Sequence, residues 1–530
     1  MITAMKYICI KKEENRKNGK VDWLLTIAPF AMIMTLVIYF FSSSKQANEL
    51  ILKIRYLFGN TLGSYYIILG LGTFAISVFL AFSKYGSIVL GNVGEKPKYS
   101  FFTWGSMMFT CGLAADILFY SFSEWVMYAD NPYVRQMGGQ SLDWASVFSL
   151  FHWSFIPWGF YLVLAASFGF MLHCKNRDRQ RFSEACIPII GENNANGLIG
   201  RLIDLFALFA LLAGTATTFS VATPLIAEIA LTLLGISLSR AALTILILVL
   251  TCGVYTYAAV HGIKGMGLLA KLCIIMFYGL CIFIFLVGGQ ERFIIENGIQ
   301  SIGKLLNHFV EISTYTDPAR TNQFPQDWTI YYWAYWMVWS IATPFFIGNI
   351  SRGRTIKQVI LGGYFFGVGS TIISFIVLGN YSLGLQISGT FNFIATYENN
   401  GDLYQLILSI IDSLPKSHIA LIWTALCMIL FYATSFDSIA YTAACYSYKK
   451  ICETETPHKA IIILWCFLMI LLPIALTFSE SSMNSLQSVS IISAFPIGII
   501  MVLIIGSFFK DAARYLKEQN SHRCISKFDE

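Results

Sequence analysis

The chain alternates long apolar runs with short polar connections. About twelve runs reach the roughly 20 residues that an α-helix needs to cross a bilayer. They centre near residues 33, 74, 114, 160, 216, 250, 279, 338, 371, 430, 469 and 500. This pattern predicts an all-α integral membrane protein. Several runs are longer than a bilayer is thick and are expected to tilt or to continue beyond it. The runs near 114, 160, 216 and 430 carry Gly, Pro, Ser or Thr where a plain anchor would carry Leu. The first run, 24–41, has no small-residue cleavage site after it, so it reads as a retained anchor. Residues 291–312 mix Phe293, Ile294, Ile302, Leu305, Leu306 and Phe309 with polar positions. That stretch is expected to lie along the outer surface between the runs near 279 and 338.

Composition supports the membrane reading. The 530 residues are 56% hydrophobic and only 12% charged, against about 25% charged in soluble domains. Net charge is +6, but the basic residues sit in the connections, which makes them a topology signal and not a nucleic-acid footprint. Five basic stretches stand out: Lys11, Lys12, Arg16, Lys17 and Lys20; Lys175, Arg177, Arg179 and Arg181; Arg352, Arg354 and Lys357; Lys449 and Lys450; Lys510, Arg514 and Lys517. With twelve spans all five fall on one side. The positive-inside rule makes that side the cytoplasm, with both termini there and the chain multi-pass in the cell membrane. The expected division is a cytoplasmic tail at 1–22, a transmembrane domain at 23–510 and a second cytoplasmic tail at 511–530. The 12 cysteines show no metal-ligand spacing, the 7 histidines are scattered, and no HExxH, P-loop or GxSxG motif occurs. An enzyme and a resident cofactor are therefore not expected.

The chemistry concentrates in DWTIYYWAYWMVW at 327–339, with seven aromatic rings and one charge. At about 100° per residue, Trp328, Tyr332, Tyr335, Trp336 and Trp339 fall at about 0°, 40°, −20°, 80° and 20°, on one face. An interfacial aromatic belt is the competing reading and suits Trp328. Trp336 and Trp339 lie roughly 13 and 18 Å along the helix from Asp327, which brings them toward the middle of a core about 30 Å thick. A second set, FHWSFIPWGFY at 151–161, places Trp153, Trp158 and Tyr161 within less than half the circumference. Pro157 should kink that helix. Ordinary packing of large side chains competes here. Two aromatic faces at mid-depth suit a quaternary ammonium group, which has no N–H to donate and whose diffuse charge is matched by ring faces at about 0.5–2 kcal/mol each.

These motifs resemble the betaine–choline–carnitine transporter family. The family's W-T-x-x-Y-W-A-W-W stands here as WTIYYWAYW at 328–336, followed by ISRGRT at 350–355. The FHWxxxPWxxY-like stretch is present, and CGLAADILFYSFSE at 111–124 matches a small-residue helix ending in F-Y-x-x-x-E. The resemblance runs end to end. It implies two N-terminal helices followed by two inverted five-helix repeats, about 100–290 and 325–510, and secondary transport by alternating access. It also implies a box of Trp153, Trp158, Tyr161 and Trp336 around a trimethylammonium group, with Trp339 nearer the cytoplasm, and a homotrimer. One departure stands out: Tyr335 replaces the first Trp of the terminal pair. Tyrosine is a weaker cation–π face but adds a hydroxyl.

Asp116 lies inside the run near 114, where an ionisable residue is costly and is read as functional; a structurally paired carboxylate is the alternative. The resemblance places Gly at this position in sodium-coupled betaine carriers and Asp in choline carriers. A zwitterion brings its own carboxylate, whereas choline brings net +1 for Asp116 to offset or to exchange for a proton. The expectation is therefore a cationic or proton-coupled substrate, choline first, with H⁺ or Na⁺ as coupling ion. A competing signal is FYATSFDS at 431–438. By resemblance, Thr434 and Ser435, with carbonyls of Phe431 and Leu113, would ligate Na⁺, as hard oxygen donors do; hydroxyls bonding back to their own helix are the alternative. The arginine of sodium-independent exchangers is missing from the run near 279, where Lys271 is expected to snorkel. Glu124 and Asp437 are read as structural. A membrane sensor of the same compounds is the rival class, disfavoured by the short tail.

Overall fold

The computed structural model of the chain describes residues 21–526, except 93, 130, 138–140, 178, 262, 450, 452–455 and 479–482. Among these residues no β-strand forms; two isolated bridges, Val21 with Tyr448 and Val89 with Thr355, are the only extended pairings. Among the described residues nine helical stretches are long and apolar enough to cross a membrane: Trp23–Ser42, Ser64–Phe82, Leu142–His173, Leu198–Leu234, Arg240–Val260, Ile356–Ile387, Ser417–Tyr446, Lys459–Phe478 and Ser485–Gln519. Two bent pairs raise this to eleven at most. The first, Phe101–Thr110 with Ala115–Ala129, bends by 63°. The second, Lys271–Val287 with Glu291–Asn307, turns by 115°, so its amphipathic second helix leaves the span's direction. The expected segment near 338 is not one continuous helix. It is split into Ile330–Trp339 and Thr343–Ile350, neither long enough to cross alone.

The surface identifies the solvent. Phe82, Ile68, Ile275, Leu286 and Phe365 are at least half exposed, while Asp116, Glu124, Asp204 and a row of Ser and Thr residues are buried. Apolar side chains outside and polar groups inside fit lipid surroundings. Leu198–Leu234 lies at the centre; most of its residues from Ile203 to Ile229 are buried.

Four of the basic stretches gather, directly or through neighbouring loops, at one end of the molecule. Arg177 reaches Asp511 at 3.1 Å. Arg181 pairs with Asp204 and donates to the Tyr446 carbonyl at 2.8 Å. Cys174 reaches the Val89 carbonyl, and Val89 pairs with Thr355. Asp22, next to the first stretch, bonds Ser447; Lys11 to Lys20 and Lys450 lie outside the described residues.

Two breaks place the site. In the first bent pair the helix opens at 111–114, and Gly112 is needed there. A Cβ on Gly112 would fall 2.2 Å from the Ser370 hydroxyl oxygen and 3.1 Å from the Trp158 ring. In the other, helices Ser141–His152 and Phe155–His173 part at Trp153 and Ser154. Pro157 has no N–H for the carbonyl four residues earlier, that of Trp153. That carbonyl accepts the Thr371 hydroxyl at 2.7 Å instead. The break therefore falls one turn before Pro157 and fixes the backbone from which Trp153 projects.

Candidate functional site

Trp153, Trp158, Tyr161 and Trp336 come together in the interior, each no more than 4% exposed. Trp336 is the hub. Its ring centroid lies 5.8 Å from Trp153, 5.8 Å from Trp158 and 4.9 Å from Tyr161. The planes are inclined at 69°, 55° and 58°, so the rings meet edge to face or tilted and do not stack. Among the described residues no ring contact joins Trp153 to Trp158; each meets Trp336 separately. Phe375, Tyr120 and Tyr332 close around Trp153 at 5.4, 5.6 and 5.4 Å. The indole N–H groups of Trp158 and Trp336 are buried without a hydrogen-bond partner. Unpaired buried donors are costly, so these two are available to an acceptor that enters the site.

The other predicted residues divide. Trp339 leaves the box: its ring contacts are Tyr335 at 6.5 Å and Phe436 at 6.0 Å. Tyr335 turns its hydroxyl to Asp116, donating to Oδ2 at 2.5 Å, and also meets the Thr218 hydroxyl. Because the single Tyr335 proton goes to Asp116, Thr218 is the donor in the second bond. Asp116 is 2% exposed, sits in the first turn of the helix after the break, and keeps Oδ1 without a partner. Thr218, on the central helix, was not foreseen; a lone Thr inside an apolar run carries no signal of its partner. Leu113 lies in the break, 4% exposed, and Phe431 is buried in Ser417–Tyr446. The Thr434 hydroxyl donates to the Leu430 and Phe431 carbonyls at 3.0 and 3.2 Å. That is the back-bonded geometry. Ser435 follows it on the same helix. The Asp437 side chain lies outside the described residues.

The comparisons with known proteins can be set on this geometry. The model of the betaine/carnitine/choline family transporters matches residues 24–517. The chain belongs to that family. Among curated proteins it is similar to the uncharacterized transporter YeaV of Escherichia coli (strain K12), 27% identical over 447 residues, which covers 83% of this chain and 90% of the relative. As a betaine/carnitine/choline family transporter, the chain is a multi-pass membrane protein whose task is carriage.

Proposed function

We propose that this protein is a secondary active transporter of quaternary (trimethyl) ammonium compounds, choline first, working by alternating access in the cell membrane with both termini cytoplasmic. Trp153, Trp158, Tyr161 and Trp336 hold the ammonium head by cation–π attraction. Asp116 offsets the positive charge, or releases its proton to water as the cation binds and regains it when the cation leaves. The observation that carries this reading is the convergence of three rings on Trp336, with Asp116 tied to the neighbouring Tyr335 on the same helix. The unpartnered Oδ1 of Asp116 suits a cargo with a hydroxyl donor. Rocking of two inverted repeats about the broken helices then exposes the box to either side.

A second reading, a glycine betaine or carnitine carrier driven by Na⁺ or by exchange, draws on a different observation. The free indole N–H groups of Trp158 and Trp336 suit a cargo carboxylate. In that reading Thr434, Ser435 and the carbonyls of Phe431 and Leu113 would hold a co-transported Na⁺.

Uptake of choline and of glycine betaine into proteoliposomes, with and without Na⁺, in wild type and Asp116→Gly, separates the two. The variant should lose choline uptake preferentially, with betaine spared. Equal losses for both cargoes overturn the choline reading. Sodium-dependent betaine uptake in the wild type favours the second.

A further inference from the structure

A buried polar chain lies behind the Trp153 wall. Glu124 is fully buried. Its Oε2 accepts the Trp153 indole N–H at 2.8 Å, and its Oε1 accepts the Tyr128 hydroxyl. The Tyr128 oxygen meets His152 Nδ1 at 2.8 Å, and His152 Nε2 meets Thr329 Oγ1 at 3.1 Å. The titratable groups facing Glu124 are Tyr128 and Tyr120 on its own helix, His152 on the next, and Tyr331 and Tyr332 on the aromatic helix. Among the described residues its only ion-pairing partner is His152, with Nδ1 3.8 Å from Oε1.

Counting donors gives this chain distinct proton states. With Glu124 anionic and His152 neutral, Tyr128 donates to Glu124. His152 must then donate from Nδ1 and accept at Nε2 from Thr329. With a proton on Glu124 Oε1, the Trp153 N–H still donates to Oε2 but the three bonds beyond Oε1 reverse: the carboxyl donates to Tyr128, Tyr128 to Nδ1, and Nε2–H to Thr329. A third arrangement puts the same proton on His152, which then donates from both nitrogens beside anionic Glu124. The last two carry no net charge. The first carries one unpaired buried negative charge, which is costly unless a cation stands nearby.

We propose that Glu124, Tyr128, His152 and Thr329 form a one-proton switch behind the aromatic box. The switch is loaded when the box is empty and discharged when a cationic head rests against Trp153. A carboxylate on the N–H edge of the indole makes its face more negative, which favours a cation on that face. One proton leaves the cluster for water per cation bound, and no electron moves. Glu124 is thus a positioning residue that acts on cargo through Trp153. This inference rests on the quaternary ammonium reading, because a cation drives the discharge.

The test uses the purified full-length protein and tetramethylammonium chloride, read by tryptophan fluorescence across pH. Release of one proton per cation requires wild-type affinity to rise about tenfold per pH unit below the transition and to level off above it. Glu124→Gln should reduce that slope by one proton. A pH-independent wild type, or an unchanged slope in the variant, overturns the proposal. Should Glu124→Gln fail to fold, Tyr128→Phe decides. It removes a donor to the anionic carboxylate, so the transition should move to higher pH, and an unmoved transition overturns the switch. A cargo-free readout separates this from failure of the box itself. Acidified wild type should show an infrared band of a protonated carboxyl that Glu124→Gln lacks, or, with the proton on His152, an imidazolium signal lost in the same variant. If folded wild type binds no tetramethylammonium at any pH, the box reading falls. The infrared comparison then still decides the switch, and identical spectra in the two proteins refute it.

Discussion

A single methyl group at residue 367 tests the box without altering any side chain proposed to touch cargo. A Cβ on Gly367 would fall 2.1, 2.3 and 2.5 Å from three carbons of the Trp158 ring. Carbon atoms in contact sit about 3.5–4.0 Å apart, so the indole must retreat by about 1.5 Å or the helices must part. Trp158 is fully buried, with Trp336 at 5.8 Å and Tyr161 at 5.7 Å, and its ring edge rests near Gly112. Forcing a methyl into such a site costs about 1–3 kcal/mol. If the bound state carries that cost, cargo affinity in Gly367→Ala falls about 5- to 150-fold. Gly369→Ala is the matched control, because a Cβ there meets nothing within 4 Å. Both variants add one methyl to the same span. The assay is tetramethylammonium and choline binding by tryptophan fluorescence, on preparations matched in gel filtration and melting. Equal affinity for Gly367→Ala, Gly369→Ala and wild type would refute the claim that the Trp158 plane is a wall of the site.

Tyr335→Phe removes the hydroxyl between Asp116 and Thr218 and leaves Asp116 without a side-chain donor. A hydrogen bond to a charged group is worth about 1.5–3 kcal/mol, so choline uptake should fall about tenfold or more and glycine betaine uptake less; equal falls count against the assignment. Arg181→Ala strands buried Asp204 and frees two backbone carbonyls, of Tyr446 and Tyr448. The expected loss is about 3–5 kcal/mol, read as a lower melting temperature in detergent and partly restored by Asp204→Asn. At Asp317, burial pushes the carboxyl up, but the N–H groups of Asn322, Thr321 and Gln323 and the Thr321 hydroxyl outweigh it and hold it at about 2, below its ordinary 3.8. A depressed value means that the stabilisation is present above 3.8 and is lost as pH falls through about 2. Melting temperature should drop across that window in wild type and less in Asp317→Asn.

The membrane-spanning helices were legible because lipid demands long apolar runs, and eleven of the twelve expected centres fall on spans or bent pairs. The segment near 338 was not, because its apolar run continues through 340–342, and Pro344 at the start of the next helix reads equally well as a kink within one span. Helical periodicity placed Trp336 and Trp339 on one face, but periodicity carries no information about the neighbouring helix. Trp339 lies about one turn further along and meets Phe436, while Trp336 meets the second aromatic set. Pro157 did announce a break, and its missing N–H locates it at Trp153. What the chain order hid was the acceptor's new partner, Thr371, more than two hundred residues away. Glu124 read as structural for the same reason: its partners Tyr128 and Trp153 carry no motif that ties them to it.

The departure at residue 335 and the acid at residue 116 explain one another. A tryptophan at 335 offers one N–H and no acceptor. It would donate to Asp116 but leave the Thr218 hydroxyl without its partner. A tyrosine hydroxyl donates to Asp116 and accepts from Thr218 in the same position, so one oxygen links three helices: the half-helix after the break, the aromatic helix and the central helix. A buried carboxylate needs such support to remain charged in front of a cation. The weaker cation–π face of tyrosine costs little here, because Tyr335 has no ring contact with Trp153, Trp158 or Tyr161 among the described residues. Its nearest rings are Tyr331 at 5.7 Å and Trp339 at 6.5 Å. On the proposed reading, the ring lost from the family pattern is one that the box would not use, and the hydroxyl gained would serve the charge that a cationic cargo requires.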